Sequence, residues 1–597
     1  MNRSVTISIL SELCRKTAVI SLFLFTLAFT TYAQTDRRKT IEGKVKELKT
    51  NRPVSYALIY NKTTDKGTVS NPDGYFKIVI RDHNDEIYVS IIGFERKKIC
   101  LHKEDDFYIV PLTESYNRLS EVSVKARDFT LYNLVSQCRR NASLRTKYAK
   151  AYFEMKSFLG AEQIELMESF YNVRLTGADI EEFYTKNSRF ALAPSHERVF
   201  QSAGNTKALT YSYTFRINEY FPISPLNLSR SQLLKFYFLR LEAKYLNEEQ
   251  DSVYVIRFTP VDTSTRSFFH GKLWINKTAQ QIIKINLKIN SAEQHPFFAV
   301  FKERDSIDKV HFDITKTFLK QEGDIFLKHM DLTYTIEYID KGEANKKYSI
   351  LTNALLYVYS YDHLFSIPEV CRKLKSRNDY TIASAIPYNE FFWNFHDEYS
   401  LNDSLKRNIS FFQNPKHLTS LNDHFEDQVF LNQYREDFYT NQTHKYHHTS
   451  LIHWKQDKRT HFRRYPETPN WKASSLPMHL DFYIFMDINH YRDSFHIHTG
   501  TLFDPYTSFY TLPLSQHGHT YLNILFDLME IERRLFLKKA LSLKGDIRKI
   551  EALYEETMEK VKLTQRRYME STDLTSWNRI VFRNLGIDNK KIFKDKE

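Results

Sequence analysis

The run Ile283-Lys284-Ile285-Asn286-Leu287-Lys288-Ile289-Asn290 places an apolar side chain at every second position, and this period of two constrains the fold more tightly than any other feature. Successive strand residues point to opposite sides, so the run is at rest only in a sheet with one covered face and one wet face. Comparable strand signals lie at 253–259, 267–276, 281–290, 309–319 and 326–339, after a predicted helix at 130–142. The whole segment 148–361 therefore reads as an antiparallel sheet. In 597 residues there are 14 glycines and 16 prolines, against 15% aromatic side chains. That balance favours long regular elements with aromatic cores and excludes low-complexity or disordered character.

The first residues read as an export signal. Arg3, Arg15 and Lys16 form a charged start, 18–29 is apolar, and Thr31-Tyr32-Ala33 is a small-residue cleavage site before Gln34. Residues 1–33 are therefore expected to be removed. The apolar run is well short of the roughly 20 residues that a spanning helix needs. Cys14 precedes that run, which argues against lipid attachment at the cleavage site. No later stretch is apolar enough to span a bilayer as a helix, so no transmembrane helix is expected after cleavage. The formal net charge is +13, and the signal carries three cations and one anion, leaving +11 on the exported chain. Charge this diffuse suits anionic lipid or glycan surfaces. No Lys/Arg run with interleaved aromatics is present, and nucleic acid is not expected as a partner. Cys100, Cys138 and Cys371 are an odd set without zinc-site spacing, which excludes a disulfide framework and leaves them as small apolar side chains.

Between 41 and about 125 the chain carries short strand signals at 54–60, 74–80, 86–92 and 107–112, the mark of an all-β module. Asn71-Pro72-Asp73-Gly74 supplies a turn: proline presets one backbone angle and glycine accepts positive φ. The segments Ile41-Glu42-Gly43-Lys44-Val45, Pro53-Val54-Ser55-Tyr56-Ala57, Gly67-Thr68-Val69-Ser70-Asn71-Pro72-Asp73-Gly74-Tyr75-Phe76 and Ser90-Ile91-Ile92-Gly93-Phe94 resemble the carboxypeptidase regulatory-like β-sandwich. Leu119-Ser120-Glu121-Val122-Ser123-Val124 is similar to the segment that ends that module. The resemblance covers about a seventh of the chain and implies a fold and a cell-envelope compartment, with no peptidase chemistry. It also brings to mind TonB-dependent outer-membrane receptors, but the chain is far shorter than those and ends in Phe593-Lys594-Asp595-Lys596-Glu597, without a closing barrel strand.

The stretch Phe269-His270-Gly271-Lys272-Leu273-Trp274-Ile275-Asn276-Lys277-Thr278 looks like the repeating hairpin of the half-open barrels of periplasmic lipoprotein carriers. That resemblance implies a curved sheet wrapped on a helix, either holding a lipid in an apolar trough or filled by an aromatic core.

From about 362 the composition shifts, with 15 of the 22 histidines in 361–597. Segments 521–541 and 546–569 read as two helices broken at Lys544-Gly545-Asp546, where glycine ends the first and aspartate caps the second. Such helices pack as an antiparallel hairpin. Two histidine pairs carry the candidate chemistry: His496-Ile497-His498 and His517-Gly518-His519. On extended strands each pair would project both imidazoles from one face, and four such ligands would hold zinc or another divalent metal. Asp527 and Glu530, three apart on a helix, could add a carboxylate, although Glu530 is equally placed to pair with Arg534. His444, His447 and His448, and His453 with His461, read as polar loop surface. There is no His-Glu-x-x-His, nucleophile elbow, phosphate-cradling glycine loop or dinucleotide fingerprint. The acid pairs Glu181-Glu182 and Asp105-Asp106 lie in polar stretches.

The sequence thus predicts a multidomain α+β protein. Its parts are a signal (1–33), a β-sandwich (36–127), a central antiparallel half-barrel-like sheet with helix (128–361), and a His-rich, α-rich C-terminal domain ending in a helical hairpin (362–597). The expected function is non-catalytic binding of an envelope protein, glycan or lipid in the periplasm or at the outer membrane. A metal-dependent enzyme using His496, His498, His517 and His519, and a lipid or lipoprotein carrier, are the alternatives.

Overall fold

The computed structural model describes residues 39–594 except 72, 116–126, 143–144, 178, 196–197, 200–208, 210–213, 216, 248–249, 265, 298–305, 322–323, 342–344, 362–363, 367–378, 396–403, 421–451, 457–477, 492–493 and 511–515. The predicted signal, Cys371 and His444, His447, His448 and His461 lie outside the described residues. Two compact units emerge: one runs to Ile91 and resumes at Arg96–Leu112, and the other comprises Ile92–Glu95 and Thr113 onward.

The first unit is a sandwich of seven strands: β1 (Lys39–Glu47), β2 (Leu58–Asn61), β3 (Lys66–Val69), β4 (Tyr75–Ile80), β5 (Ile87–Ser90), β6 (Lys97–Ile99) and β7 (Phe107–Leu112). One sheet runs β4-β1-β7 and the other β3-β2-β5-β6. Ile41, Val45, Phe76, Ile78, Ile80, Val110 and Leu112 alternate inward, and all are buried. The turn before β4 follows from its sequence. The Asn71 side-chain carbonyl accepts from the backbone N–H groups of Asp73 (3.0 Å) and Tyr75 (2.8 Å). Gly74 sits at φ +80, and a Cβ there would lie 2.3 Å from the Val45 carbonyl oxygen, so only glycine fits.

The second unit is built on one eleven-stranded antiparallel sheet. Its strands are β8 (Thr146–Leu159), β9 (Glu162–Thr176), β10 (Asp179–Leu192), β11 (Tyr237–Leu246), β12 (Ser252–Pro260), β13 (His270–Asn276), β14 (Gln281–Ile289), β15 (Ser306–Gln321), β16 (Asp324–Asp340), β17 (Lys346–Ser360) and the short β18 (Leu418–Thr419). Their order is β11-β12-β13-β14-β15-β16-β17-β8-β9-β10-β18. The sheet curls strongly. Lys316 on β15 donates to Asp179 on β10 at 3.1 Å, although five inter-strand steps separate them, a path of about 24 Å on a flat sheet. This is the expected half-barrel.

Helix α1 (Phe129–Arg140) lies on the concave side, started by the Asp128 side chain accepting from the Thr130 N–H at 2.9 Å. It buries Leu131, Tyr132, Leu134, Val135 and Cys138 in the core that fills the sheet. Each large apolar side chain so buried stabilises by about 1.5–3 kcal/mol. Aromatic rings pack on one another in this core: Phe297 on Tyr334 at 4.5 Å, Phe221 by Phe312 at 5.6 Å, and Tyr171 by Phe183 at 4.9 Å.

The C-terminal region departs from the sequence reading in one respect. Besides helices it holds a long hairpin, β20 (Met478–Tyr491) and β21 (Ser494–Tyr510), joined by the short β19 (Ile452–His453). β20 hides from periodicity because both of its faces are covered, with Leu480 and Phe482 to Ile488 all buried. Helices α2 (Arg230–Phe236), α3 (Asp379–Ala385), α4 (Glu390–Phe395) and α5 (Ser404–Phe412) are short. The chain closes with α6 (Gln516–Ser542), α7 (Ile547–Met569), α8 (Leu574–Leu585) and α9 (Asn589–Lys594). The α6–α7 hairpin breaks where expected, with Gly545 at φ +85 and Asp546 capping α7 by accepting from Lys549 N–H at 3.2 Å. α6 packs its apolar face on the hairpin through Phe526 and Phe482, whose rings lie 5.4 Å apart.

Candidate functional site

The two predicted histidine pairs occupy different kinds of element. His496 and His498 lie on β21 and share a face, as the strand reading requires. His517 and His519 do not: they stand in the first turns of α6, where residues two apart point to nearly opposite sides. Arg533 of the same helix donates to Thr499 Oγ1 at 2.6 Å, which places the neighbour of His498 against a point 16 residues further along α6 than His517. At 1.5 Å per residue that is about 24 Å. The four imidazoles are therefore not gathered at one point. Among the described residues no three His, Cys, Asp or Glu side chains come together in a way that could hold a metal ion.

Around His496 and His498 the structure instead assembles a buried polar cluster whose centre the sequence does not single out. In the β20–β21 ladder His498 faces Asp487 and His496 faces Asn489. Asp487 is fully buried and accepts from the ammonium of Lys186, itself 1% exposed, on β10. Three amides complete its shell: Asn489 at 2.9 Å, Asn389 at 3.1 Å and Asn187 at 3.2 Å. Lys186 also donates to the Ile488 carbonyl at 2.9 Å. His496 stacks on Phe391 at 4.3 Å, and His498 meets the edge of Phe485. Burial lowers both imidazole pKa values, outweighing the attraction of Asp487.

A second ion pair lies on the same outer side of β9 and β10. Arg189 Nε donates to Glu168 at 2.7 Å, and its guanidinium sits between the rings of Trp393 (3.9 Å) and Phe412 (4.6 Å). Asn408 on α5 and Tyr152 also donate to Glu168, at 2.8 and 3.1 Å. These contacts fasten α4, α5 and the hairpin onto the sheet.

The carboxylates proposed as extra metal ligands have protein partners. Asp527 accepts from Trp454 Nε1 at 2.7 Å and Asn589 at 2.6 Å. Glu530 accepts from Thr501, Arg533 and, as its spacing suggests, Arg534. Burial pushes the Glu530 carboxyl pKa up, but the two guanidinium groups and Thr501 prevail and hold it below the usual range. Glu181 and Glu182 both pair with Arg174.

The outward side of the β4-β1-β7 sheet is of another character. Two rows of residues cross it: Tyr75-Lys44-Ile109 and Lys77-Glu42-Phe107. Tyr75, Phe107 and Ile109 are 40%, 49% and 59% exposed, although large apolar side chains usually turn inward. The two rings stand 6.3 Å apart, and the Lys44 ammonium lies 4.7 Å from the Tyr75 ring centre.

Residues 41–124 match the family model of the CarboxypepD_reg-like domain. The β-sandwich thus carries that assignment, and its strands span the matched residues that the structure describes. The match covers the N-terminal module alone. No curated protein matches the chain. Among solved structures, a DUF1329 family protein from Desulfovibrio piger aligns at 11% identity over 40% of this chain and 96% of its own, with a TM-score of 0.17. A LolA superfamily protein from Nitrosomonas europaea aligns at 11% identity over 41% and 96%, also at 0.17.

Proposed function

We propose that this is an exported, non-catalytic binding protein of the cell envelope, residing in the periplasm or at the outer membrane, whose CarboxypepD_reg-like sandwich contacts another envelope component. The observation that carries the reading is the outward face of β4-β1-β7, where two aromatic rings and an isoleucine stand exposed beside lysines on the one module with a family match. Exposed apolar side chains grouped on one face mark contact surfaces, whereas single ones are ordinary. The export signal read at residues 1–33 supports the compartment. Among the described residues no helix is long and apolar enough to cross a membrane.

Co-sedimentation tests the reading. Purified protein should pellet with washed cell envelopes and be released by excess unlabelled protein; protein that stays in the supernatant contradicts it.

A further inference from the structure

We infer that the outward face of the β4-β1-β7 sheet is a docking surface for a strand of acidic polysaccharide. The inference deepens the envelope-binding reading and rests on it.

Three features select this occupant. The first is ring exposure on one face of the sheet. Tyr75 and Phe107 flank β1 with their centroids 6.3 Å apart and planes 54° from each other, offering two stacking platforms on successive rows of one face. The C–H faces of sugar rings pack on aromatic rings, and a tyrosine adds a hydroxyl that can hydrogen-bond.

Charge is the second. Glu42 and Lys77 pair with each other at 3.2 Å, which neutralises the acid on this face. Lys44 and Lys46, at alternate positions of β1, therefore leave the face net positive. The Lys44 ammonium lies 4.7 Å from the Tyr75 ring centre, beside the place where a carboxylate or sulfate of a stacked sugar would come. A cation on a ring is also weakly hydrated on that side, which lowers the cost of meeting an anion.

Size is the third. The exposed apolar part of this face is three side chains, and a row of two rings suits a narrow polymer that binds by repetition.

The test is electrophoresis of the full-length purified protein through gels containing polygalacturonate, alginate or hyaluronate, with dextran as the neutral control and phosphatidylglycerol vesicles as a separate arm. At least one acidic polymer should retard the wild type, and dextran should not. The double variant Tyr75→Ala/Phe107→Ala, at exposed positions outside the core, should weaken that binding at least tenfold while leaving the circular dichroism spectrum unchanged. Lys44→Gln should weaken it severalfold and flatten its salt dependence, because one ion contact is lost. Equal retardation of wild type and double variant, no retardation by any of the three polymers, or capture by vesicles alone overturns the inference. If the protein nevertheless pellets with washed envelopes, the broader reading stands and only this surface assignment falls.

Discussion

Replacing Lys186 by methionine probes the seam that fastens the β20–β21 hairpin to the curled sheet. The substitution keeps the aliphatic stem and removes the ammonium that Asp487 accepts from. Asp487 stays fully buried, with only the amides of Asn489, Asn389 and Asn187 at 2.9, 3.1 and 3.2 Å. Breaking a buried pair from one side costs about 3–5 kcal/mol, because the remaining charge is stranded. Three neutral donors soften that penalty, so a loss of about 3 kcal/mol is expected. Asp487→Asn should cost a similar amount by stranding the ammonium. The double variant removes both charges and should recover about 2 kcal/mol relative to the sum of the single effects. Urea unfolding followed by near-ultraviolet circular dichroism and by tryptophan fluorescence measures the cycle, provided the slope is the same in all four proteins. A single variant within about 1 kcal/mol of wild type, or purely additive effects, would refute the claim that this pair holds the two elements together.

Further outcomes follow from individual sites. Burial pushes the Cys138 thiol pKa up to about 12, whereas Cys100 is exposed; in folded protein a maleimide should label Cys100 and spare Cys138, and rapid labelling of Cys138 would contradict its packing. Gly74→Ala forces a Cβ against the Val45 carbonyl at positive φ and should destabilise the sandwich by about 1–3 kcal/mol, read as a lower urea midpoint. The folded-state pKa of His498 lies below its ordinary value because of burial, so the unfolded chain binds its proton first as pH falls. Stability contributed by the neutral imidazole is therefore present above about pH 6.5 and is lost as pH falls toward the folded value. His498→Gln should reduce the loss of stability between pH 7 and pH 5, and an unchanged pH profile would show that the imidazole does not titrate differently on folding.

How far the sequence can be read depends on which faces of each element are covered. β14 is legible in the alternation from Ile283 to Asn290 because one of its faces is wet. The α6–α7 break is legible because Gly545 and Asp546 act locally. β9 and β10 resist the same reading: Glu168, Lys186 and Arg189 are buried beneath α4, α5 and the hairpin, which cover the outer side of these strands, and Glu165 is buried on the opposite face, where Tyr380 donates to it. β20 is obscured in the same manner. The histidine spacing is ambiguous for another reason. His-x-His places two rings on one face only in a strand, and nothing local to His517-Gly518-His519 distinguishes a strand from the start of a helix. Asp487, the centre of the cluster beside His498, gives little local signal: Asn489 is a near neighbour, but the partners that mark it as a buried ion pair, Asn389, Asn187 and Lys186, lie about 100 and 300 residues away in sequence.

Export is the claim on which the functional reading depends, and the mass of the protein recovered from fractionated cells tests it most directly. A product in the envelope fraction that begins at Gln34 is the predicted result. A product that retains Met1 and remains in the cytosol would contradict the compartment, and with it the envelope ligand.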